Sequence, residues 1–421
     1  MSEEKEHKKP WQEVYATVED IKNFLGGRIF LRHNVITRRV EYRLPSSYTF
    51  EGMKKWEPIS DRIVNSLWAE LSREKPARAQ DIYRVLESDF VPDYHPFRHY
   101  LEHLPPWDGQ NYILEMSVSV SVKGEVEEQM RFYEYLKKWL VGMVAGWVDQ
   151  SEVNHVILIF IGEQGIYKTT WFNYLLPPEL RDYFYTKTNA SRMTKDDLLT
   201  LAQYGLVCYE ELDTMSPREL NQLKSAVTMP SIDERAAYAH FHEHRKHIAS
   251  FCGTGNNVQF LSDPTGNRRW LPFEVQSIMS PREYPFNYEG IYSQAYALYR
   301  EGFQFWFSRE EVLRLAGHNR QFETPRLEEE LVQLYFRAPS PNEPGEFISV
   351  AYALQLISAN ISQKLSTVAL GRAFVNQGFR KKTYRNVRGY VVVRRSAEEM
   401  LSIRRLMAHE ADTDTDDTDV F

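Results

Sequence analysis

From Val156 to Ile161 the chain reads Val-Ile-Leu-Ile-Phe-Ile, then passes without a break into Gly162-Glu163-Gln164-Gly165-Ile166-Tyr167-Lys168-Thr169-Thr170. A continuous apolar run bounded by polar residues is the pattern of a strand buried on both faces, as in a parallel sheet covered by helices. Trp171 to Leu175 reads as a helix. Strand, glycine loop, Lys-Thr and helix is the context that the pattern G-x-x-x-x-G-K-[ST] needs in order to hold phosphate. The loop N–H groups and the positive end of the helix would cradle phosphate oxygens. Lys168 would reach the β- and γ-phosphates, and the Thr169 hydroxyl would hold Mg²⁺. Gly162, Gly165, Lys168, Thr169 and Thr170 are the expected nucleotide-binding residues, with ATP and Mg²⁺ as cofactors. One residue departs from the pattern. Tyr167 precedes the lysine, where glycine usually allows close approach or an unusual backbone conformation.

Two further apolar runs fit the same sheet. Leu206 to Tyr209 leads into Glu210-Glu211, and a buried strand ending in two carboxylates is the second half of such a site. Glu210 is assigned to the metal and Glu211 to the attacking water, with Asp213 as the alternate if the register slips. Ile248 to Cys252 leads into Gly253-Thr254-Gly255-Asn256-Asn257, where Asn256 would orient water near the γ-phosphate. Cys208 and Cys252, the only cysteines among the 421 residues, fall inside these runs and read as buried strand residues. They exclude a disulfide framework and a cysteine-based zinc site. No apolar run approaches 18 residues, and the charged N-terminus lacks a signal-peptide core, so the expected setting is a reducing cytoplasm without a membrane span.

The elements alternate, which argues a three-layer α/β core. The expected organisation is an N-terminal α+β module with a link over 1–110 and a P-loop NTPase core over 111–310. A winged-helix-like domain over 311–400 and an acidic tail over 401–421 complete it. In the first part, Thr17 and Asp20 predict a capped helix from Val18, Gly26-Gly27 stops it, and an arginine-rich stretch from Ile29 to Leu44 predicts one or two short strands. A long helical stripe spans 128–149. In the last part, helices near 350–359 and 367–377 precede a strand–turn–strand over Phe379 to Arg395, with Asn386 or Gly389 in the turn.

The same residues carry a family resemblance. Gly162 to Thr170, Tyr209 to Asp213, Gly253 to Asn257 and Asp263-Pro264-Thr265-Gly266-Asn267-Arg268-Arg269-Trp270 resemble the virulence-associated protein E family. So do His95 to Leu101 and Trp107-Asp108-Gly109. That family is grouped with superfamily III helicases and poxvirus-type primase–helicases, in the AAA+ class. The resemblance spans roughly 60–310. It implies an ATP hydrolase of DNA-helicase type working as a homo-oligomeric ring, expected as a hexamer, on single-stranded or forked DNA during replication of a mobile element. It also implies that Arg268 or Arg269 reaches a neighbour's nucleotide. The N-terminal 110 residues show no primase carboxylate constellation, so a primase would be a separate chain. Gly255 stands where the family pattern leads one to expect a second threonine.

A net charge of −7 does not exclude a nucleic-acid partner, because six of the acidic residues lie in the last twelve positions and local patches decide binding. In superfamily III proteins the interval between the acidic strand and the strand that leads to Asn256 resembles a hairpin that tracks DNA. Here it carries Arg235, His240, His242, His244 and Lys246. Alternation puts the three histidines on one strand face, which also fits a solvated hairpin or a three-imidazole zinc site. Lys381, Lys382 and Arg385, with Arg372, Arg380 and Arg388, form a second basic surface suited to phosphates. The rival to a translocase is a nucleotide-binding DNA initiator or loading factor with little hydrolysis, a reading kept open by Tyr167. A nucleotide-gated switch that needs no DNA is the third.

Overall fold

The computed structural model describes residues 15–45, 55–188, 195–234, 243–261, 267–324, 327–341, 343–358, 361 and 365–413. The chain divides into two compact units, Met1–Phe322 and Glu323–Phe421. The first unit opens with α1 (Val18–Gly26), whose N-terminus carries the expected capping box. Asp20 N donates to the Thr17 hydroxyl, and Thr17 N donates back to the Asp20 carboxylate at 2.7 Å. Strands β1 (Phe30–Asn34) and β2 (Arg39–Arg43) form an antiparallel pair, extended by β3 (Glu57–Pro58) and later by β4 (Asp93–Tyr94) into a sheet of order β3-β2-β1-β4. Helices α2 (Asp61–Glu74) and α3 (Ala79–Leu86) join α1 over this sheet. Ile21, Leu25, Val64, Leu71, Ile82 and Leu86 make a small core of their own there.

The chain then passes through α4 (Pro96–Glu102), α5 (Tyr112–Val118) and β5 (Val120–Val122) to α6 (Val126–Val148). From Trp139 to Trp147 every residue of α6 is buried, as expected of a helix enclosed on all sides. It packs on α5, on α10 (Tyr288–Arg300) and on the main sheet.

The main sheet contains β6 (Ile157–Ile161), β7 (Phe184–Lys187), β8 (Leu206–Tyr209), β11 (Ser250–Gly255) and β12 (Trp270–Ile278), in the order β5-β12-β6-β11-β8-β7. The five strands after β5 are mutually parallel, and β5 runs antiparallel on β12. All five residues of β6 are buried, and they alternate between two cores. Leu158 and Phe160 face the side that holds Trp139, Leu140, Trp171 and Tyr292. Ile157, Ile159 and Ile161 face Leu201, Leu220, Leu223 and Phe322. A period of two with both faces apolar is what a sheet between two helical layers requires. Each such side chain contributes about 1.5–3 kcal/mol of burial free energy. Helices α7 (Lys168–Leu175), α8 (Lys195–Gln203) and α9 (Pro217–Ala226) link the strands.

The strand expected over 248–252 begins at Ser250 and continues to Gly255, so Gly253 to Gly255 are strand and the loop begins at Asn256. Cys252 lies directly opposite Cys208, and both are buried. Burial, and then the neighbouring Cys208 thiol, push the Cys252 thiol up. Strands β9 (Ser231–Glu234) and β10 (Glu243–Lys246) form a separate antiparallel hairpin. The helix α11 (Arg309–Asn319) belongs to the first unit. Its terminal Asn319 amide donates to the carbonyls of Asn267 (2.8 Å) and Trp270 (3.0 Å). The first unit thus extends past the expected domain boundary at 310, because this helix locks the entry to β12.

The second unit runs α12 (Leu327–Tyr335), β13 (Phe336–Arg337), β14 (Glu346–Ser349), α13 (Val350–Ser358), α14 (Thr367–Asn376), β15 (Lys381–Tyr384), β16 (Val387–Arg394) and α15 (Ala397–Thr413). This contains the helix–helix–hairpin order expected from the sequence. Strand β16 is central, between β14 and β15. The hairpin turn is Arg385-Asn386, both at positive φ (47° and 63°), the geometry of a two-residue turn that matches strand twist. Gly389 is not in the turn. It lies inside β16, where a Cβ would meet the Ile348 carbonyl at 2.2 Å. Among the described residues, no helix is long and apolar enough to cross a membrane.

Candidate functional site

Parallel strands bring their C-terminal ends to one edge, and in open α/β sheets ligands bind in the crevice outside that edge. The register aligns Gly255 of β11 with Ile161 of β6, and Gly253 with Tyr209 of β8. Loop 162–167, Asn256 and the segment after Tyr209 therefore all emerge together. Because β11 lies between β6 and β8, the asparagine sits between the glycine loop and the carboxylates. The long-range pairing thus unites the three segments singled out in the sequence.

Lys168 begins α7 and is largely buried. Its ammonium donates to the carbonyls of Gly162 and Glu163, each at 2.5 Å, and to Asn256 Oδ1 at 3.2 Å. Burial pulls its pKa down, while the charges of Asp213 and then Glu163 pull it up. Thr169 and Thr170 follow in the first turn of the helix, both half-buried.

The acidic segment differs from the simplest reading. Glu210 donates its N–H to the Lys187 carbonyl at 3.1 Å. Glu211 is exposed and takes a left-handed conformation (φ 54°, ψ 44°) ahead of a 3-10 turn over Leu212–Thr214. That turn swings Asp213 toward the loops. Asp213 Oδ2 accepts from Asn257 N at 2.9 Å. Its Oδ1 is buried with no hydrogen-bond partner among the described residues. This also accounts for Gly255, since a Cβ there would lie 2.9 Å from Asp213 Oδ1. A threonine would displace the carboxylate from its place. Sequence spacing gave Asp213 only as an alternate, and the 3-10 turn is what brings it in.

Tyr167 adopts φ 70° and ψ 18° and is 45% exposed. It therefore holds the conformation that glycine takes at no steric cost, at an expense of about 1–2 kcal/mol for a residue with a Cβ. Tyr167→Gly should leave the fold intact and raise the midpoint of thermal unfolding by about 1–4 °C. A midpoint lowered by several degrees would show that contacts of the ring outweigh the backbone strain.

Arg268 and Arg269 lie elsewhere. They precede β12, whose first residue Trp270 pairs with Ile157, the first residue of β6. Both arginines thus sit at the N-terminal edge of the sheet, opposite the glycine loop. Their charges depress the pKa of His155, at the entry to β6, after the larger effect of its burial. Burial, then the like charge of Arg268, also lowers Arg269. Neither arginine forms an ion pair among the described residues. Asp263 to Gly266 lie outside them.

In the hairpin, Arg235, His240 and His242 lie outside the described residues. His244 Nδ1 is 2.7 Å from Asp233 Oδ1 on the facing strand. Lys246 is at the hairpin base, where burial lowers its pKa and Asp149 and Glu152 raise it. Arg245 points the other way and is buried, donating to the Ile36 carbonyl at 2.7 Å. Among the described residues, no cluster of three or more His, Cys, Asp or Glu is placed to hold a metal. In the second unit, Arg372, Arg380, Lys381, Lys382, Arg385 and Arg388 are all exposed, and the Arg385 guanidinium lies 5.3 Å from the Tyr384 ring centre.

The chain is thus α/β, with a glycine loop, a lysine and a carboxylate gathered at the C-terminal edge of a parallel sheet. The match to known families is more specific. Residues 101–324, just over half of the chain, match the virulence-associated protein E-like domain, and the chain belongs to that family. No curated protein matches it. Among solved structures, the apo C-terminal region of NrS-1 aligns at 13% identity over 89% of this chain and 98% of that one, with a TM-score of 0.44. An A-form apo structure of the same region gives 0.47 over the same shares.

Proposed function

We propose that this protein is an ATP-dependent DNA helicase or translocase of AAA+ type that works as an oligomeric ring in the replication of a mobile element. The observation that carries the reading is the meeting of Lys168, Asn256 and Asp213 at one sheet edge, with a buried carboxylate oxygen that has no hydrogen-bond partner among the described residues. In the free protein the Lys168 ammonium is held by loop carbonyls. Phosphate oxygens would replace those carbonyls and gain a charge-assisted bond. Thr169, Glu210 and Asp213 offer the hard oxygen donors that suit Mg²⁺. The ion, when bound, would neutralise charge on the β- and γ-phosphate oxygens. Glu211 or Asp213 would accept a proton from the attacking water, and Asn256 would orient it.

The position of Arg268 and Arg269 supports action on a neighbouring subunit. A strand of five residues spans about 16 Å at roughly 3.3 Å per residue. This separates the pair from its own glycine loop by more than a side chain reaches. DNA contacts are assigned to the hairpin between β9 and β10 and to the exposed basic residues of the second unit. Neutralised phosphates there make binding steeply salt-dependent.

One observation favours a second reading. The strained Tyr167 backbone next to Lys168 is compatible with a loop that binds nucleotide and turns it over slowly, as in an initiator or loading factor. ATP turnover measured with and without single-stranded DNA separates the two. A translocase shows Mg²⁺-dependent turnover that rises several-fold with DNA. Nucleotide binding with neither basal nor DNA-stimulated turnover would sink the helicase reading.

A further inference from the structure

The arginine-rich stretch of the N-terminal module plays no part in the nucleotide site. Its sheet has two faces. Leu31 and Val40 pack into the core with α1 to α3, and successive strand residues point to opposite sides. The other face therefore carries Phe30 and Arg32 on β1, with Arg39, Glu41 and Arg43 on β2. Phe30 pairs with Arg43 and Arg32 with Glu41. Trp56 flanks β3, and Tyr94 lies on β4.

These side chains alternate ring and guanidinium. The Arg32 guanidinium carbon lies 3.6 Å from the Tyr94 ring centre and 4.2 Å from that of Trp56. Arg43 lies 5.1 Å from Trp56 and 5.2 Å from Phe30. The deep end of the face is closed, since Asn34 is buried and its amide donates to the Tyr183 hydroxyl at 2.6 Å. The other end, where Phe30 pairs with Arg43, is open, with Phe30 50% exposed.

Charge decides which partner fits. The carboxylate on this face, Glu41, is engaged by Arg32 at 2.6 Å and by Asn34 at 2.7 Å. Arg43 forms no ion pair among the described residues, so the open end is cationic as well as aromatic. An anionic polymer with exposed flat rings satisfies both properties. Unpaired bases stack on aromatic side chains and arginine planes while phosphates meet the cations. A duplex hides its base faces.

We propose that this sheet face binds a single strand of nucleic acid, with bases stacking on Phe30 and Trp56 and a phosphate meeting Arg43. The site stands apart from the nucleotide loop and does not depend on ATP hydrolysis. The test uses the full chain, with a fluorescein-labelled oligothymidylate for anisotropy and an iododeoxyuridine oligonucleotide for photocrosslinking. Crosslinks should map to the peptides holding Phe30 or Trp56. Phe30→Ala should weaken single-strand binding by about 5–100-fold, the scale of one stacked base. Arg43→Ala should also lower the slope of log affinity against log salt by about 0.7. Duplex affinity and DNA-free ATP turnover should stay at parental values in both variants. The proposal is overturned if no crosslink reaches either peptide, or if both variants bind the single strand like the parent. Equal losses of single-strand and duplex binding would also overturn it, since that would mark a surface that reads charge alone. If a variant fails to fold, the crosslink map on the parent chain decides.

Discussion

Lys168→Ala is expected to abolish ATP turnover, with kcat reduced by about 10²–10³-fold or more, the scale for removing one preorganised charge from a reacting centre. The ammonium is largely buried, fixed by three acceptors and set between the glycine loop and Asn256, so no other side chain can take its place without rebuilding the loop. The carboxylates sort by their placement. Glu211→Gln should retain nucleotide binding and lose hydrolysis if the exposed glutamate turns inward on binding. Asp213→Asn should lose hydrolysis in any case, because its buried oxygen already faces the loop edge. Steady-state turnover combined with fluorescent-nucleotide binding separates these outcomes. Loss in Asp213→Asn, with Glu211→Gln still at parental rates, moves the catalytic carboxylate to Asp213. Parental turnover in Lys168→Ala and in all the acidic variants would remove the site altogether.

The second large effect concerns the subunit interface. A guanidinium at the transferring phosphoryl group can be worth 10³–10⁵ in rate, and Arg268 with Arg269 sits at the sheet edge away from its own loop. The double variant Arg268→Ala, Arg269→Ala should therefore be as inactive as Lys168→Ala. Mixing the two dead chains should restore activity, since roughly a quarter of the interfaces in a randomly assembled 1:1 ring pair an intact loop with intact arginines. Turnover against mixing ratio should peak near equal amounts. Mixed oligomers that form, shown by pull-down of a tagged chain, and yet remain inactive at every ratio would mean that the arginines do not act across the interface. The competing role, pairing with Asp263 to hold the loop, predicts a loss of stability in the double variant instead.

How much of this was legible in the sequence follows from the range of each interaction. The capping box at Thr17 and Asp20 and the fully apolar strand into Gly162 are set by neighbours a few residues apart, and both appear where their patterns placed them. The three segments that meet at the sheet edge could be singled out for the same reason, because phosphate chemistry demands particular residue types in a short run. The two-residue turn was less so. Asn386 and Gly389 compete as turn formers locally, and only the close approach of Ile348 from β14 reserves the glycine for the strand interior.

Other features were decided by pairing across the chain. That β11 lies between β6 and β8, and so brings Asn256 to Lys168, depends on hydrogen bonds between segments some 90 residues apart. That Asp213 rather than Glu210 or Glu211 turns toward the loop after β11 and bonds to Asn257 N depends on a left-handed residue and a 3-10 turn, which the order of acidic positions does not encode. The parallel partner of β6 on its other side, β12, sets Arg268 and Arg269 at the far edge, and α11 anchors its entry through Asn319. The face of β1 and β2 that gathers Phe30, Arg32, Arg43, Trp56 and Tyr94 exists because the three helices take the opposite face. The sequence by itself determined which residues are chemically able to bind phosphate and which segments are helix or strand, since these follow from short-range sterics and periodicity. The tertiary structure alone decided which of them meet, because strand order and register are settled by long-range burial that no local pattern contains.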